Sequence, residues 1–339
     1  MPNPLSLHEQ ETSNRTIKLP SGVTGYAIAG VLNPNKAESV ILYQHGIPGT
    51  RYEALLAHQK AIKEHVSVIC TERSGIGLSE PNTRRKILDH PKDMEALCHE
   101  LQLEKKPEIL ATSGGAPYAL ATAIHIPKKI GDVVIVNGMG PYDMENSTNG
   151  MDFKKKFLLW SGNHLPEVAN RFWLKLAQWY IKLKPKGTMK KMHIGENLKS
   201  EELIREYRTL VREFMLEATR KGVGGIAHDI TLLSNEWGFD LEDVPKDKVT
   251  FFAGLADDVV PSFNSDNMAR CIEDAEVHKK QGQGHMMLLS IMGHVLGHFR
   301  HLNLTHLLDS EKDLLLKIRQ YRNGGLLSHE EIQKILREI

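Results

Sequence analysis

One serine lies where a strand runs into a helix. The segment EILATSGGAPYAL (residues 108–120) is typical of a buried strand, a tight turn and a helix, with Ser113 at the turn. A serine on such a nucleophile elbow projects its hydroxyl clear of the sheet, and small neighbours let the backbone segments approach closely. Gly115 supplies one such neighbour, whereas Ala111 replaces the first glycine of the usual G-x-S-x-G pattern. The Gly114 N–H, at the start of the helix, is placed to bind an oxyanion. The alternative is an ordinary N-cap serine, and the segment alone does not decide between the two.

A second turn, YQHGIPGTR (residues 43–51), directly follows the strand-like run SVILYQ. A His-Gly turn at this place supplies the second oxyanion N–H, here from Ile47. Gly46 and Gly49 permit the backbone angles that the turn needs. We interpret His45 as a structural support of the loop rather than a proton carrier.

Serine is a poor nucleophile unless a base removes its proton and an acid orients that base. The segment FFAGLADDVVPS places Asp257 and Asp258 after a strand, and QGQGH places His285 after the next strand-like run. The order serine, aspartate, histidine is that of a hydrolytic triad. The two adjacent aspartates leave the identity of the acid open at this point.

The elements that must position these residues alternate along the chain. Residues 15–30 predict a β-hairpin. Four apolar runs then predict strands at 39–44, 66–71, 108–113 and 132–138, separated by helical patterns at 51–64, 91–103 and 115–126. Continuous apolar strands between amphipathic helices indicate a mostly parallel α/β sheet covered on both faces. Ligands of such sheets bind at the carboxyl ends of the strands.

The strand pattern stops at about residue 141 and resumes near 248 with KVTFFAG, a helix near 262–273, AEVHKK and a helix from about 286. We therefore predict a core of residues 15–140 and 245–302, a helical cap inserted at 141–244, and a C-terminal helical hairpin at 303–339. All four tryptophans lie in or near the insertion, and we expect each to pack in the protein interior while the apolar cap helices line an acyl pocket.

These segments together resemble the α/β-hydrolase fold family over roughly residues 15–302. The matching stretches are HGIPG, ERSGIGLSEP, ATSGGAPYALA, GLADDVVP and GQGH. The resemblance of GLADDVVP to the family's G-x-x-D-x-x-V-P implies that Asp257 is the acid. It implies a triad of Ser113, Asp257 and His285, an oxyanion hole formed by the N–H groups of Ile47 and Gly114, and no cofactor.

The type of nucleophile narrows the chemistry that the resemblance implies. Epoxide hydrolases and haloalkane dehalogenases of this fold carry aspartate at the elbow, so Ser113 favours cleavage of an ester, thioester, lactone or amide. Glu72 stands where the family's loop has aspartate, which puts only the geometry of that loop in question. Two alternatives stay open: a catalytically weak ligand sensor or interaction protein on the same scaffold, and an acyltransferase using the same site.

Composition sets the remaining expectations. The chain has 339 residues and a net charge of +1, so nothing points to nucleic acid as a partner. Three widely spaced cysteines, no apolar leader and no run of about 18 apolar residues predict a cytoplasmic protein without a membrane span. We expect a small, apolar acyl substrate, and the C-terminal hairpin is a candidate for a protein partner or self-association.

Two further patterns are weak. His294, His298 and His301 share one helical face, but we expect a packed helix rather than a metal site because no carboxylate accompanies them. The lysines at 154–156 and 182–191 suit an anionic or membrane surface, although short basic runs are usually solvated.

Overall fold

The fold is built on one eight-stranded sheet of order β1-β2-β4-β3-β5-β6-β7-β8. β1 pairs antiparallel with β2 and β2 with β4, and all other neighbours are parallel. The strands are β1 (Arg15–Leu19), β2 (Gly22–Gly30), β3 (Ser39–Gln44), β4 (Val66–Thr71), β5 (Glu108–Thr112), β6 (Val133–Val136), β7 (Val249–Gly254) and β8 (Glu276–Lys280). The predicted hairpin and parallel sheet are confirmed.

The computed structural model describes residues 14–151, 153–183 and 212–308. Its α-helices are α1 (His58–Lys63), α2 (His90–Glu100), α3 (Ala116–His125), α4 (Phe153–His164), α5 (Glu167–Leu183), α6 (Gly224–Leu233), α7 (Phe263–Cys271) and α8 (Met287–Leu308), and residues 212–218 are also helical. Between β6 and β7 the described residues form helices and no strand, as the sequence predicts.

Both faces of the central strands β3 to β7 are buried, which explains their continuous apolar sequences. On one face α1 and α8 pack on β3 through residues such as Ile41, with Phe299 of α8 fully buried. On the other face α2, α3 and α7 pack on the alternate residues, such as Leu42 of β3. Successive side chains of a strand point to opposite faces, so each of these central strands needs apolar residues throughout.

Two predicted elements differ from those observed. The helix expected at 51–64 is a 3-10 helix over Arg51–Ala57 followed by α1. Arg51, Ala54 and Ala57 are buried, and this spacing of three is the period of a 3-10 helix. The predicted boundary at residue 303 falls inside α8, which continues to Leu308. Residues 309–339, most of the predicted hairpin, lie outside the described residues.

The described residues carry no group of three or more His, Cys, Asp or Glu side chains that could hold a metal ion. The rings of His294 and His298 instead meet the ring of Phe252 edge-on, at centroid distances of 5.7 and 6.4 Å. His301 has no described side chain. Among the described helices, none combines the length and the apolar character that crossing a bilayer requires. All three cysteines are free.

Candidate active site

Ser113 directly follows β5 with a left-handed backbone, at φ +49°, and opens a 3-10 turn that leads into α3. Such a conformation is uncommon for a residue other than glycine and clusters at functional sites. Gly115 allows the turn to close, because a Cβ there would overlap the carbonyl oxygen of Gln44. Ala111 is fully buried in the core, so its extra methyl is accommodated.

The N-cap alternative for Ser113 does not fit this turn. The N-cap position of α3 is Gly115, and no side chain caps the helix. An N-cap residue has extended rather than left-handed backbone angles. The conformation of Ser113 is therefore that of an elbow.

The His-Gly turn lies against the elbow. A Cβ added to Gly46 would lie 3.4 Å from the Cβ of Ser113, and one added to Gly114 would lie 2.8 Å from Cγ2 of Ile47. Ile47 and Ser113 also line the same cavity. The two residues predicted to supply oxyanion N–H groups are thus brought together beside Ser113.

His45 and Arg73 hold this turn from behind. The Nδ1–H of His45 donates to the Gly46 oxygen at 2.9 Å, and the Arg73 N–H donates to Nε2 of His45 at 3.4 Å. The Arg73 guanidinium donates to the oxygens of His45 and Gly46, both at 2.8 Å. Burial and the charge of Arg73 hold the pKa of His45 well below its usual value. The imidazole is therefore neutral and supports the loop.

His285 and Asp257 meet at the carboxyl ends of β8 and β7. Nδ1 of His285 donates to Oδ2 of Asp257 at 2.8 Å. Oδ1 of Asp257 accepts the N–H groups of Val259 and Val260 at 2.8 and 2.9 Å, and its side chain is fully buried. Both carboxylate oxygens are thus occupied, which fixes the orientation of the imidazole.

Asp258, the alternative acid, is directed elsewhere. Its Oδ1 lies 3.3 Å from Nζ of Lys155, which also donates to the Asp258 carbonyl oxygen at 2.8 Å. In this structure the adjacent aspartates thus have different partners, and Asp257 is the one bonded to His285.

Asn137 is a site residue that the sequence analysis missed. It follows β6 with φ +48°, and its Nδ2 donates to the carbonyl oxygens of Gly284 and His285 at 3.1 and 3.0 Å. Its Oδ1 accepts the Gly254 N–H at 2.8 Å. One amide therefore ties the ends of β6 and β7 to the loop that carries His285. An asparagine just beyond an apolar strand, in VVIVNG, was the available signal.

Buried ion pairs join the strand-end loops to the helices between β6 and β7. Asp229 of α6 accepts Nε of Arg73 at 2.7 Å and also pairs with Arg85. Tyr118 donates to the same carboxylate at 3.0 Å. Burial alone would raise the pKa of Asp229, but the charges of Arg73 and Arg85 hold it well below its usual range.

A second buried cluster surrounds Arg51. Its Nη1 lies 2.5 Å from Glu72 and 2.6 Å from Glu217 in the helical residues 212–218. Glu72 also accepts the Leu78 N–H at 2.8 Å, and a Cβ on Gly77 would overlap its carboxylate. The glutamate that departs from the family pattern is therefore accommodated by a glycine and paired with an arginine.

A cavity of about 270 Å³ opens on Ser113. Among the residues that the structure describes, twenty line this cavity and sixteen of them are apolar: Ile47, Pro48, Met139, Met151, Leu158, Leu159, Leu174, Ala177, Met215, Leu216, Val223, Ile226, Ile230, Leu233, Val259 and Val260. The volume is near the lower end of small-molecule pockets, about 300–1,000 Å³.

The prediction that each tryptophan packs in the interior is wrong for three of the four. Trp237 is buried, whereas Trp160, Trp173 and Trp179 are 41%, 48% and 63% exposed. None of the four lines the cavity. Aliphatic residues occupy the inner faces of α4 and α5, so the larger rings of these helices lie outside.

Solved structures show the same fold at low identity. A carboxylesterase of Nitrososphaera gargenis is 17% identical, with a TM-score of 0.61 over 86% of this chain and 100% of its own. The enol-lactonase of Burkholderia xenovorans LB400 is 13% identical (TM-score 0.57, 85% and 99%). The epoxide hydrolase VrEH1 of Vigna radiata is 15% identical (TM-score 0.58, 87% and 98%).

None of the curated proteins compared with the chain matches it. A family model for the alpha/beta hydrolase fold matches residues 39–290, about three quarters of the chain. The strand order and the strand-end position of Ser113, Asp257 and His285 agree with this match. The chain belongs to the α/β-hydrolase fold family.

Proposed function

We propose that this hydrolase cleaves a carboxylic ester, thioester, lactone or amide through Ser113, His285 and Asp257. The observation that carries the proposal is the 2.8 Å hydrogen bond between Asp257 and His285, made at the same sheet edge as the left-handed Ser113. The names of the similar carboxylesterase and lactonase support acyl chemistry, although proteins this distant share only the fold.

The proposed reaction begins when Ser113 Oγ attacks the substrate carbonyl carbon. Because Nδ1 of His285 donates to Asp257, Nε2 is the nitrogen that accepts the Ser113 proton. The N–H groups of Ile47 and Gly114 bind the oxyanion of the tetrahedral intermediate. His285 then returns the proton to the leaving group, and the acyl group stays on Ser113. Water, deprotonated by His285, attacks this acyl-enzyme, and His285 returns the proton to Ser113 Oγ as the bond to the acyl group breaks and the acid is released.

The cavity supports an apolar acyl group as the part of the substrate bound beside Ser113. Fourteen of the twenty described lining residues lie between residues 141 and 244, nine of them on α4, α5 and α6, which supports the cap role proposed for this segment. Burial of each methylene is worth about 0.8 kcal/mol. In a panel of p-nitrophenyl esters of increasing chain length, kcat/KM should therefore rise about fourfold per methylene until the cavity is full.

A variant pair tests the cavity directly. Ala177→Phe enlarges a side chain of the cavity lining and should move the optimum to shorter chains. Leu176→Phe on the same helix is the matched control, because Leu176 lies outside the lining. An unchanged chain-length profile in Ala177→Phe would contradict this assignment.

Ser113→Ala tests the proposed nucleophile. We expect hydrolysis of short p-nitrophenyl esters to fall at least 10³-fold, because the variant lacks the attacking oxygen. The unfolding transition should stay cooperative, because the substitution leaves no buried polar group without its hydrogen-bond partner. Full esterase activity in Ser113→Ala would refute the assignment. If the wild-type protein hydrolyses no ester, lactone or thioester, the sensor alternative would be favoured. A cytoplasmic location stays a prediction.

A further inference from the structure

Exposed apolar side chains are concentrated on two consecutive helices. Ten large apolar residues are exposed among those the structure describes, and eight of them lie on α4 and α5. The most exposed are Phe153 at 81%, Val168 at 69%, Trp179 at 63% and Phe172 at 57%. Scattered apolar residues are normal on a protein surface, but a concentrated patch marks an interaction site.

The exposed rings form one continuous surface across both helices. Phe157 lies 6.4 Å from Phe153 and 5.9 Å from Trp160 on α4, by ring centroids. It also meets Trp173 of α5 at 6.5 Å, and Trp173 meets Phe172 at 5.2 Å. We name this surface, the outer side of α4 and α5, the aromatic face.

The two helices that carry the aromatic face are strongly basic although the whole chain carries a net charge of only +1. Residues 153–183 contain five lysines and one arginine against a single glutamate, a net charge of +5. Lys154, Lys175 and Lys182 are exposed. Four more lysines follow in the sequence between residues 184 and 191.

We propose that the aromatic face docks on the surface of an anionic lipid bilayer. Trp, Tyr and Phe favour the boundary between headgroups and acyl chains, and lysines favour anionic headgroups. α5, with 17 residues, is long enough to lie in the interface with one face in contact along about 25 Å. A second copy of the same face is a poor partner, because the exposed Lys154, Lys175 and Lys182 of the two copies would repel each other.

The aromatic face and the cavity lie on opposite sides of α5, so docking would bring the cavity close to the bilayer. Leu174 and Gln178 of α5 line the cavity, while Phe172, Leu176 and Trp179 of the same helix are exposed on its outer side. The wall between bilayer and cavity is thus one helix thick. If Ser113 is the nucleophile, as proposed above, this places an acyl cavity beside the lipid, which favours amphiphilic esters as substrates.

The test is sedimentation of the full chain with vesicles of phosphatidylcholine, with and without phosphatidylglycerol. We expect binding to the vesicles that contain phosphatidylglycerol, weakening as salt is raised, and little binding to phosphatidylcholine alone. Exposed Trp160, Trp173 and Trp179 should shift their fluorescence to the blue on binding, whereas Trp237 is already buried. No binding to anionic vesicles, or equal binding to both kinds, would overturn the proposal.

Charge reversal of Lys154, Lys175 and Lys182 to glutamate should lower vesicle binding at least about tenfold. The matched control reverses three exposed lysines elsewhere, Lys63, Lys92 and Lys106, and should bind as the wild type does. Equal loss in both variants would show a general charge effect and contradict the proposed face.

Trp173→Ser with Trp179→Ser should weaken binding to the same vesicles, whereas Ile62→Ser, which removes an exposed residue of α1, should not. Ser113→Ala should bind vesicles as the wild type does, so failure of the docking proposal and failure of the proposed hydrolysis are distinguishable. A concentration-dependent dimer that the two tryptophan substitutions disrupt, without vesicle binding, would instead assign the face to self-association.

Discussion

The loops at the strand ends and the aromatic face of α4 and α5 are built on opposite principles. Around the loops, polar and charged groups are buried and paired: Arg73 with Asp229 at 2.7 Å and Arg51 with Glu72 at 2.5 Å. On α4 and α5, large apolar side chains are exposed instead. Buried, paired groups fix the position of a loop, as catalysis requires. Exposed aromatic side chains do not fix the position of any loop, and they remain available to bind a partner.

The largest effect on stability should come from Asp229→Ala, which breaks the buried ion pairs between the strand-end loops and α6. The variant leaves Arg73 and Arg85 buried without their carboxylate, so unfolding free energy should fall by about 3–5 kcal/mol in urea titration. The exposed pair of Glu95 and Lys129 is the control, and Glu95→Ala should cost less than about 1 kcal/mol. Similar losses in both variants would contradict the contrast between buried and exposed pairs.

Asn137→Ala tests the amide that holds the His285 loop. It leaves the buried Gly254 N–H without its acceptor and removes the amide donor from the carbonyl oxygens of Gly284 and His285, so stability should fall by about 1–3 kcal/mol. We expect kcat for ester hydrolysis to fall while KM changes little, because the variant displaces His285 but leaves the cavity intact. Asn137→Asp keeps the acceptor and tolerates the left-handed backbone, and it should retain more stability than Asn137→Ala. Wild-type kcat in Asn137→Ala would show that the amide does not position His285.

The dependence of stability on pH tests how completely His90 is shielded from water. Burial, with the charges of Arg73 and Arg85, lowers the pKa of His90 to about 3. Between pH about 6.5 and 3 the unfolded chain binds a proton at His90 that the folded chain does not. Stability therefore falls as pH falls, by about 1.4 kcal/mol per pH unit from this residue.

His90→Gln should reduce this slope by about that amount, because glutamine does not titrate but keeps a donor for Gln44. His99→Gln, at a side chain that is 87% exposed, should leave the slope unchanged. The test is the free energy of unfolding, measured by urea titration at several pH values. An equal slope in the wild type and His90→Gln would show that His90 is not shielded from water in the folded protein.

The smallest effect should be found on the aromatic face. Phe153→Ser removes a ring that is 81% exposed, so the free energy of unfolding should change by no more than about 0.5 kcal/mol. A loss of several kcal/mol, measured in the same urea titration, would show that the face packs within the protein.

The sequence predicted the sheet well because the central parallel strands β3 to β7 are buried on both faces. The runs at 39–44 and 66–71 match β3 and β4 residue for residue. Ser113, Asp257 and His285 could be proposed from the sequence because each follows a strand at the same edge, where residue type and order are visible in the sequence.

The buried ion pairs were not predicted because they leave no local pattern. Arg51 and Glu217 are 166 residues apart, and Arg73 and Asp229 are 156 apart. Such charged residues look like solvated ones until the fold brings them together. The exposed tryptophans were missed for a related reason: an amphipathic helix with two apolar faces does not show which one lies inside.

The most direct test of the central claim is covalent labelling by a fluorophosphonate, followed by mass spectrometry of the modified peptide. We predict one label per chain on Ser113, none in Ser113→Ala, and much slower labelling in Asp257→Asn than in Asp258→Asn, because only Asp257 is bonded to His285. No label on the wild-type chain, a label on another residue, or equal rates in the two aspartate variants would contradict the account.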